Sequence, residues 1–196
     1  MWMPPIPVPE EIRKLGKCPN LVAILPGDIL LFSPIKSNPK ALGIRTSQRL
    51  HGFVPEHFGW VHAKLYLGGF ACCEAVRPEV RIGLLYERLS TQLMLVRRVP
   101  GLTLEQRWKI VENSLWYLNA PYDLETILRY AAGKQKKTIP VEAEWACICS
   151  ELCARATIRA TAAPPLTGPG ETVTPALLSE SPRFEDVHVG WLRLPK

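Results

Sequence analysis

The stretch whose reading decides the fold runs from Val61 to Val76, VHAKLYLGGFACCEAV. In its first half Val61, Ala63, Leu65 and Leu67 alternate with His62, Lys64 and Tyr66. That period of two belongs to a strand with one apolar and one polar face. Gly68-Gly69 then closes a tight hairpin, and Phe70 to Val76 returns as the partner strand. Opposed residues of paired strands lie within ~5 Å. Counting outward from the turn sets Glu74 opposite Leu65 or Lys64, depending on turn type. His62 is then one or two positions away, and a twist or bulge brings imidazole and carboxylate together. Such a carboxylate accepts from one ring nitrogen, fixes the tautomer and leaves the other nitrogen free to carry a proton.

Working outward, Pro26-Gly27 marks a turn, and DILLF, Asp28 to Phe32, reads as a buried strand before the hairpin. Val80 to Leu85 and Gln92 to Val96 read as further strands after it. Glu10 to Leu15 fits a short helix. The stretch from Ser33 to Trp60 is polar, basic and rich in Gly and Pro, with a helical run near Ala41 to Leu50. A connection this long suits a lid or a substrate wall. Thr103 and Gln106 form a capping box, followed by an amphipathic helix through Leu104, Trp108, Ile110, Val111, Leu115 and Leu118. Asn119-Ala120-Pro121 stops it. Tyr122 to Ala132 and Cys149 to Ala160 give two more helices, and Trp108 and Trp116 are expected in the core. Prolines from Pro164 onward prevent long regular elements, and Val187 to Leu194 returns as a strand. The fold class is α+β, a small antiparallel β-sheet or half-barrel packed against helices. Residues 1–24 form a Pro-rich segment packing on one domain of residues 25–196.

Composition narrows the function classes. With 196 residues, 47% hydrophobic and 21% charged, the chain is not wholly disordered and can bury a core. Its net charge of +6 is spread rather than gathered into a basic stripe, so nucleic acid is not an expected partner. Lys134, Lys136 and Lys137, the tight basic group, read as a solvated loop. No window approaches ~18 consecutive apolar residues, so no transmembrane segment is expected. The N-terminal run is broken by Pro4, Pro5, Pro7 and Pro9, with its charges afterwards, which is not the pattern of a signal peptide. Localisation is left open between the cytoplasm and export by a signal-independent route.

The six cysteines are bunched, at Cys18, Cys72, Cys73, Cys147, Cys149 and Cys153. Bunching suits reduced thiols better than a framework of staples. No paired C-x₂-C spacing is present, so neither a metal nor another cofactor is expected. Cys149 stands where a helix begins, ahead of Ser150-Glu151-Leu152. A thiol there meets unpaired backbone N–H groups and the positive end of the helix dipole, both of which favour thiolate. The same N–H groups suit an oxyanion. With His62 and Glu74 this completes a set of nucleophile, base and orienter. Cys147 and Cys153 read as small buried side chains, Glu151 as a first-turn carboxylate, Asp28 as a brace for its strand. His51 and His57 read as exposed.

Taken in order, these segments resemble the circularly permuted branch of the NlpC-type papain-like cysteine peptidases, the YiiX-like proteins. Pro26-Gly27-Asp28-Ile29-Leu30 resembles their opening strand, and Trp60 to Gly68 their histidine strand. Cys73-Glu74-Ala75 resembles the strand that follows, and Pro121-Tyr122-Asp123-Leu124 a Y-D element before the nucleophile. Cys149-Ser150-Glu151-Leu152 resembles the C-S-E-L nucleophile motif. Thr174-Pro175 and Ser181 to Phe184 resemble the tail. The similarity spans about residues 25–189. It implies a permuted papain-like fold with Cys149 as nucleophile, His62 as base then acid, and Glu74 as orienter. Tyr122, Trp60 and Ser150, inside those motifs, are expected to touch substrate. The implied activity is a cysteine hydrolase acting on an amide, in a peptide, isopeptide or peptidoglycan fragment. A bacterial effector or toxin with an immunity protein is a natural variant, and a monomer is expected. The alternatives are a lipid acyltransferase, phospholipase or thioesterase using the same Cys-His site, and a non-catalytic binding module. The stretch between Phe32 and Trp60 is particular to this chain, and Cys73 before Glu74 and Cys147 before Cys149 have no assigned role in the resemblance.

Overall fold

The computed structural model describes residues 9–36, 38–133, 145–167 and 172–194. The Lys134–Lys137 group and the first eight residues lie outside them.

The described chain enters on α1 (Glu10–Leu15), acidic in its first turn, basic in its last, and closed by Gly16 in the left-handed region at φ 69°. A short strand β1 (Lys17–Pro19) follows. Gly27, at φ 87°, turns the chain into β2 (Ile29–Pro34), every residue of which is buried. A Cβ on Gly27 would press on Arg107 O and Ile110 at 3.3 and 3.4 Å, so both its φ and its packing demand glycine. Asp28 braces this corner as expected. It is buried and accepts from Leu25 N–H (2.8 Å), from Arg98 (2.6 and 2.9 Å) and from Arg107 (3.2 Å).

The stretch read as a long connection carries two helices, α2 (Pro39–Leu50) and α3 (Pro55–Phe58). Asn38 caps α2 by accepting from Ala41 N–H at 2.9 Å, with Pro39 at the first helical position. The decisive hairpin forms as β3 (His62–Gly68) and β4 (Ala71–Val76), continued by β5 (Glu79–Leu84). After β6 (Gln92–Arg98) the Thr103/Gln106 capping box opens α4 (Leu104–Leu115). Then come α5 (Leu124–Ala131), α6 (Cys149–Thr161) and α7 (Pro175–Glu180), and the strands β7 (Glu185–Val187) and β8 (Trp191–Arg193). Helix α7 was not expected so far into a proline-rich tail. Thr174 caps it by accepting from Leu177 N–H at 3.1 Å, and Pro175 serves as its first residue rather than as a breaker.

The protein is thus α+β, an antiparallel sheet packed with helices. Six strands lie in the order β5-β4-β3-β2-β6-β7, and β1 pairs with β8 in a separate ribbon. Both faces of the sheet are covered. On one side Ile29, Leu31, Ala63, Leu65, Cys73 and Ala75 pack against Ile110 of α4 and Leu152, Cys153 and Ala156 of α6. On the other side Leu30, Phe32, Tyr66 and Cys72 meet Ile12, Ile24, Leu85 and Leu89. The polar face of the hairpin is therefore an interior.

Two local expectations shift. Trp108 and Trp116 are 50% and 58% exposed rather than core. The inward stripe of α4 is Arg107, Ile110, Val111 and Ser114, because Arg107 turns in to Asp28 and Ser114 O accepts from the Cys73 thiol (3.5 Å). Trp116 instead packs edge-on against Trp145 at 5.1 Å, with Arg159 5.1 Å over its ring.

Candidate active site

Hairpin register sets the first two site residues. Leu65 pairs with Cys73 and Tyr66 with Cys72, which places Glu74 opposite Lys64; an irregularity follows between Tyr66 and Gly68. His62 lies two residues along the same face and reaches diagonally, its Nε2 2.8 Å from Glu74 Oε2. The carboxylate is wholly buried and ringed by cations. Lys64 Nζ lies at 3.2 Å, Arg81 at 3.0 Å and Arg88 at 4.0 Å. Burial alone would favour the neutral acid. The bond from His62 and the charges of Lys64, His62 and Arg88 outweigh it and hold Glu74 well below the usual carboxylate range. An ionised carboxylate only accepts, so Nε2–H donates to it and Nδ1 is left for another partner.

That partner is Cys149, the first residue of α6. Imidazole and thiol act on one another through a hydrogen bond and through charge. Burial opposes the charged form of each. For Cys149 this is overcome by His62 and by backbone hydrogen bonds from Ala63 and Ser150, and the thiol is lowered. For His62 the pull of Cys149 and the bond to Glu74 overcome burial and the repulsion of Arg88, and the imidazole is raised. The neighbouring thiols behave oppositely. Burial pushes Cys72 and Cys147 up to about 12, Cys73 to about 11, and Cys153 well above its ordinary value. The start of α6 is held by Glu151, whose carboxylate accepts from Ile148 N–H (3.4 Å) and pairs with Arg155 (3.2 Å). Its place is that of a first-turn carboxylate.

Cys149 and His62 line a cavity of about 450 Å³ with a largely apolar wall. Ile44 of α2 and Leu124 and Ile127 of α5 form one side, so the stretch between Phe32 and Trp60 does supply a wall. Tyr122 lines it too; burial first, then the charge of Cys149, raises its phenol. Ser150 reaches the lining, but its hydroxyl donates to Val173 O at 2.8 Å, tethering the approach to α7. Trp60 does not line the cavity; its indole N–H donates to Glu56 O at 3.1 Å. His51 is exposed and stacks on Tyr130 at 4.0 Å, whereas His57 is half-buried and hydrogen-bonds Ser179 Oγ at 2.9 Å.

Several residues of the site escaped the sequence reading. Lys64 was legible only as a member of the polar strand face, and nothing in the sequence singled out Arg81 or Arg88. Gly83 carried a signal in hindsight, a glycine interrupting the run from Val80 to Leu85. Gln48 spends its buried amide on three bonds: to Phe58 O (3.0 Å), to Trp60 O (2.8 Å) and from Ala176 N–H (2.9 Å). It ties α2 and α7 to the start of β3.

Among the described residues, no cluster of three or more His, Cys, Asp or Glu side chains could hold a metal ion. No described helix is long and apolar enough to cross a membrane. No protein-family model matches this chain, and no curated protein matches it.

Proposed function

We propose that this chain is a cysteine hydrolase that cleaves an amide bond at Cys149, on a permuted papain-like scaffold. The observation that carries the reading is the contrast among the thiols. Cys149 alone joins a helix start, a histidine and a lowered thiol, while four buried neighbours are driven the other way. The order His62, Glu74, Cys149 and the motif resemblance support the same reading. Cys149 thiolate attacks the carbonyl carbon, and backbone N–H groups at the start of α6, that of Cys149 among them, hold the oxyanion. His62 then passes its Nδ1 proton to the departing nitrogen and the C–N bond breaks, leaving a thioester. Water gives a proton to His62 and attacks the thioester; the acid departs and the thiolate returns. Glu74, fixed in its anionic form, orients the ring and steadies the imidazolium.

The apolar cavity wall favours one second reading, an acyl ester or thioester opened by the same pair. A panel of peptides, isopeptides, peptidoglycan fragments and phospholipids, with intact-mass detection of an acyl adduct on Cys149, separates the two. Cys149→Ala is expected to keep the fold and lose all turnover. Unchanged turnover in that variant overturns the proposal.

A further inference from the structure

Lys40, Arg77 and Arg88 bring positive charge to the cavity beside Cys149, and Arg88 is the one of them tied to the Glu74 cluster. Arg88 ends the helical turn 85–88, lines the cavity, and has a side chain 31% exposed. Arginine carries five N–H donors. Among the described residues none of Arg88's is hydrogen-bonded. Its nearest anion, Glu74, lies 4.0 Å away and is already held by His62, Lys64 and Arg81. Its Nε is buried without a partner. The local charges do not cancel either. Lys64, Arg81 and Arg88 face only Glu74 and Glu87, which leaves one positive charge over. Lys64 and Arg81 are bonded within the cluster, so the charge left over is that of Arg88. Gln92, the first residue of β6, lines the same cavity, and its buried Oε1 has no hydrogen-bond partner among the described residues.

We propose that Arg88 is a substrate-anion site, and that the substrate is an amide bearing a free carboxylate close to its scissile bond, with a neighbouring N–H donated to Gln92. The proposal rests on Cys149 being the nucleophile. The planar guanidinium matches a planar carboxylate through two parallel hydrogen bonds. A neutral substrate without an acceptor leaves the donors of Arg88 unbonded.

Iodoacetate and iodoacetamide present a carboxylate and its neutral amide on one skeleton, and a thiolate displaces iodide from either. Alkylation of Cys149 by each is followed by intact mass and peptide mapping in wild type, Arg88→Gln and Arg88→Lys. The general attraction of the imidazolium for an anion is common to all three and drops out of the comparison. The preference for iodoacetate is expected to fall by about tenfold in Arg88→Gln, the smaller end for a charge-assisted hydrogen bond. Arg88→Lys, which keeps the charge, is expected to retain most of it. Butyrate should slow labelling of wild type by iodoacetamide where butyramide does not. If iodoacetamide labels Cys149 rapidly at neutral pH but the preference is the same in all three proteins, the carboxylate site is wrong and the nucleophile stands. If Cys149 reacts no faster than an ordinary thiol, the nucleophile reading fails and takes this site with it.

Discussion

Lys64 and Glu74 sit directly across the β3–β4 hairpin with Nζ 3.2 Å from Oε2, and neither side chain has any exposure to water. Two opposite charges wholly removed from solvent tolerate the loss of one partner badly, because the other is left uncompensated. Lys64 also donates to Leu84 O at 3.2 Å, so it ties β3 to the end of β5. Lys64→Met should lower stability by about 2–4 kcal/mol, the residual cations around Glu74 keeping the loss from being larger. Urea unfolding measures it. In a double-mutant cycle with Glu74→Gln, the two losses should fall well short of adding. Additive losses would show that the pair is not coupled.

A side chain at Gly83 has nowhere to go. Its Cβ would fall 2.5 Å from Glu74 Oε1 and 3.1 Å from the carboxyl carbon. Gly83→Ala must therefore push the carboxylate off the ring nitrogen it holds. Overpacking of this kind costs about 1–3 kcal/mol. The loss of Cys149 reactivity should exceed what that stability change explains. In a Glu74→Ala background the clash is gone, and Gly83→Ala should then be close to neutral. A full penalty in that background counts against a steric cause.

The thiol of Cys149 is lowered by His62 against the effect of its own burial. Alkylation of Cys149 should therefore reach its plateau at a pH below the ~8.5 of an ordinary thiol. In His62→Ala burial is opposed only by the backbone hydrogen bonds from Ala63 and Ser150. The alkylation rate at pH 7 should then fall by more than about tenfold, one unit of thiol titration. Equal pH profiles for the two proteins would refute the coupling.

Acid stability follows from Glu74. Its folded value lies below its unfolded one, so its contribution is complete above the unfolded carboxylate value of ~4.3. As pH falls below that value, the unfolded chain takes up a proton that the native state does not, and stability drops until Glu74 itself protonates. Unfolding free energy measured between pH 7 and pH 3 should fall more steeply in wild type than in Glu74→Gln. Parallel curves would contradict this.

Gln48 closes three backbone groups from two distant segments with one buried side chain. Gln48→Ala leaves two carbonyls and one N–H without partners. The expected cost is about 3 kcal/mol, three groups at the low end of the roughly 1–3 kcal/mol for an orphaned buried group. Hydrogen exchange should quicken in α7 and at the start of β3. A loss below about 0.5 kcal/mol, the level of an ordinary surface change, would show that water takes over these bonds.

Local order was written into the chain itself. Alternation over Val61 to Leu67 specified a strand, Gly68-Gly69 its turn, and the spacing to Glu74 its approach to His62. The Thr103/Gln106 box set the start of α4, and the helix read from Cys149 begins at that residue. These signals act over a few residues, through backbone sterics and hydrogen bonds that neighbours satisfy. What covers the second face of the sheet was not so written. Ile12, Ile24, Leu85 and Leu89 come from separate segments, and only their packing turns a face that alternates polar residues into an interior. That packing removes Lys64 from water, gathers three cations around one carboxylate and leaves the Arg88 guanidinium with no hydrogen bond among the described residues. Residues distant along the chain acquire their chemistry from the dielectric and the charges that folding puts around them, and no periodicity in the sequence records that environment.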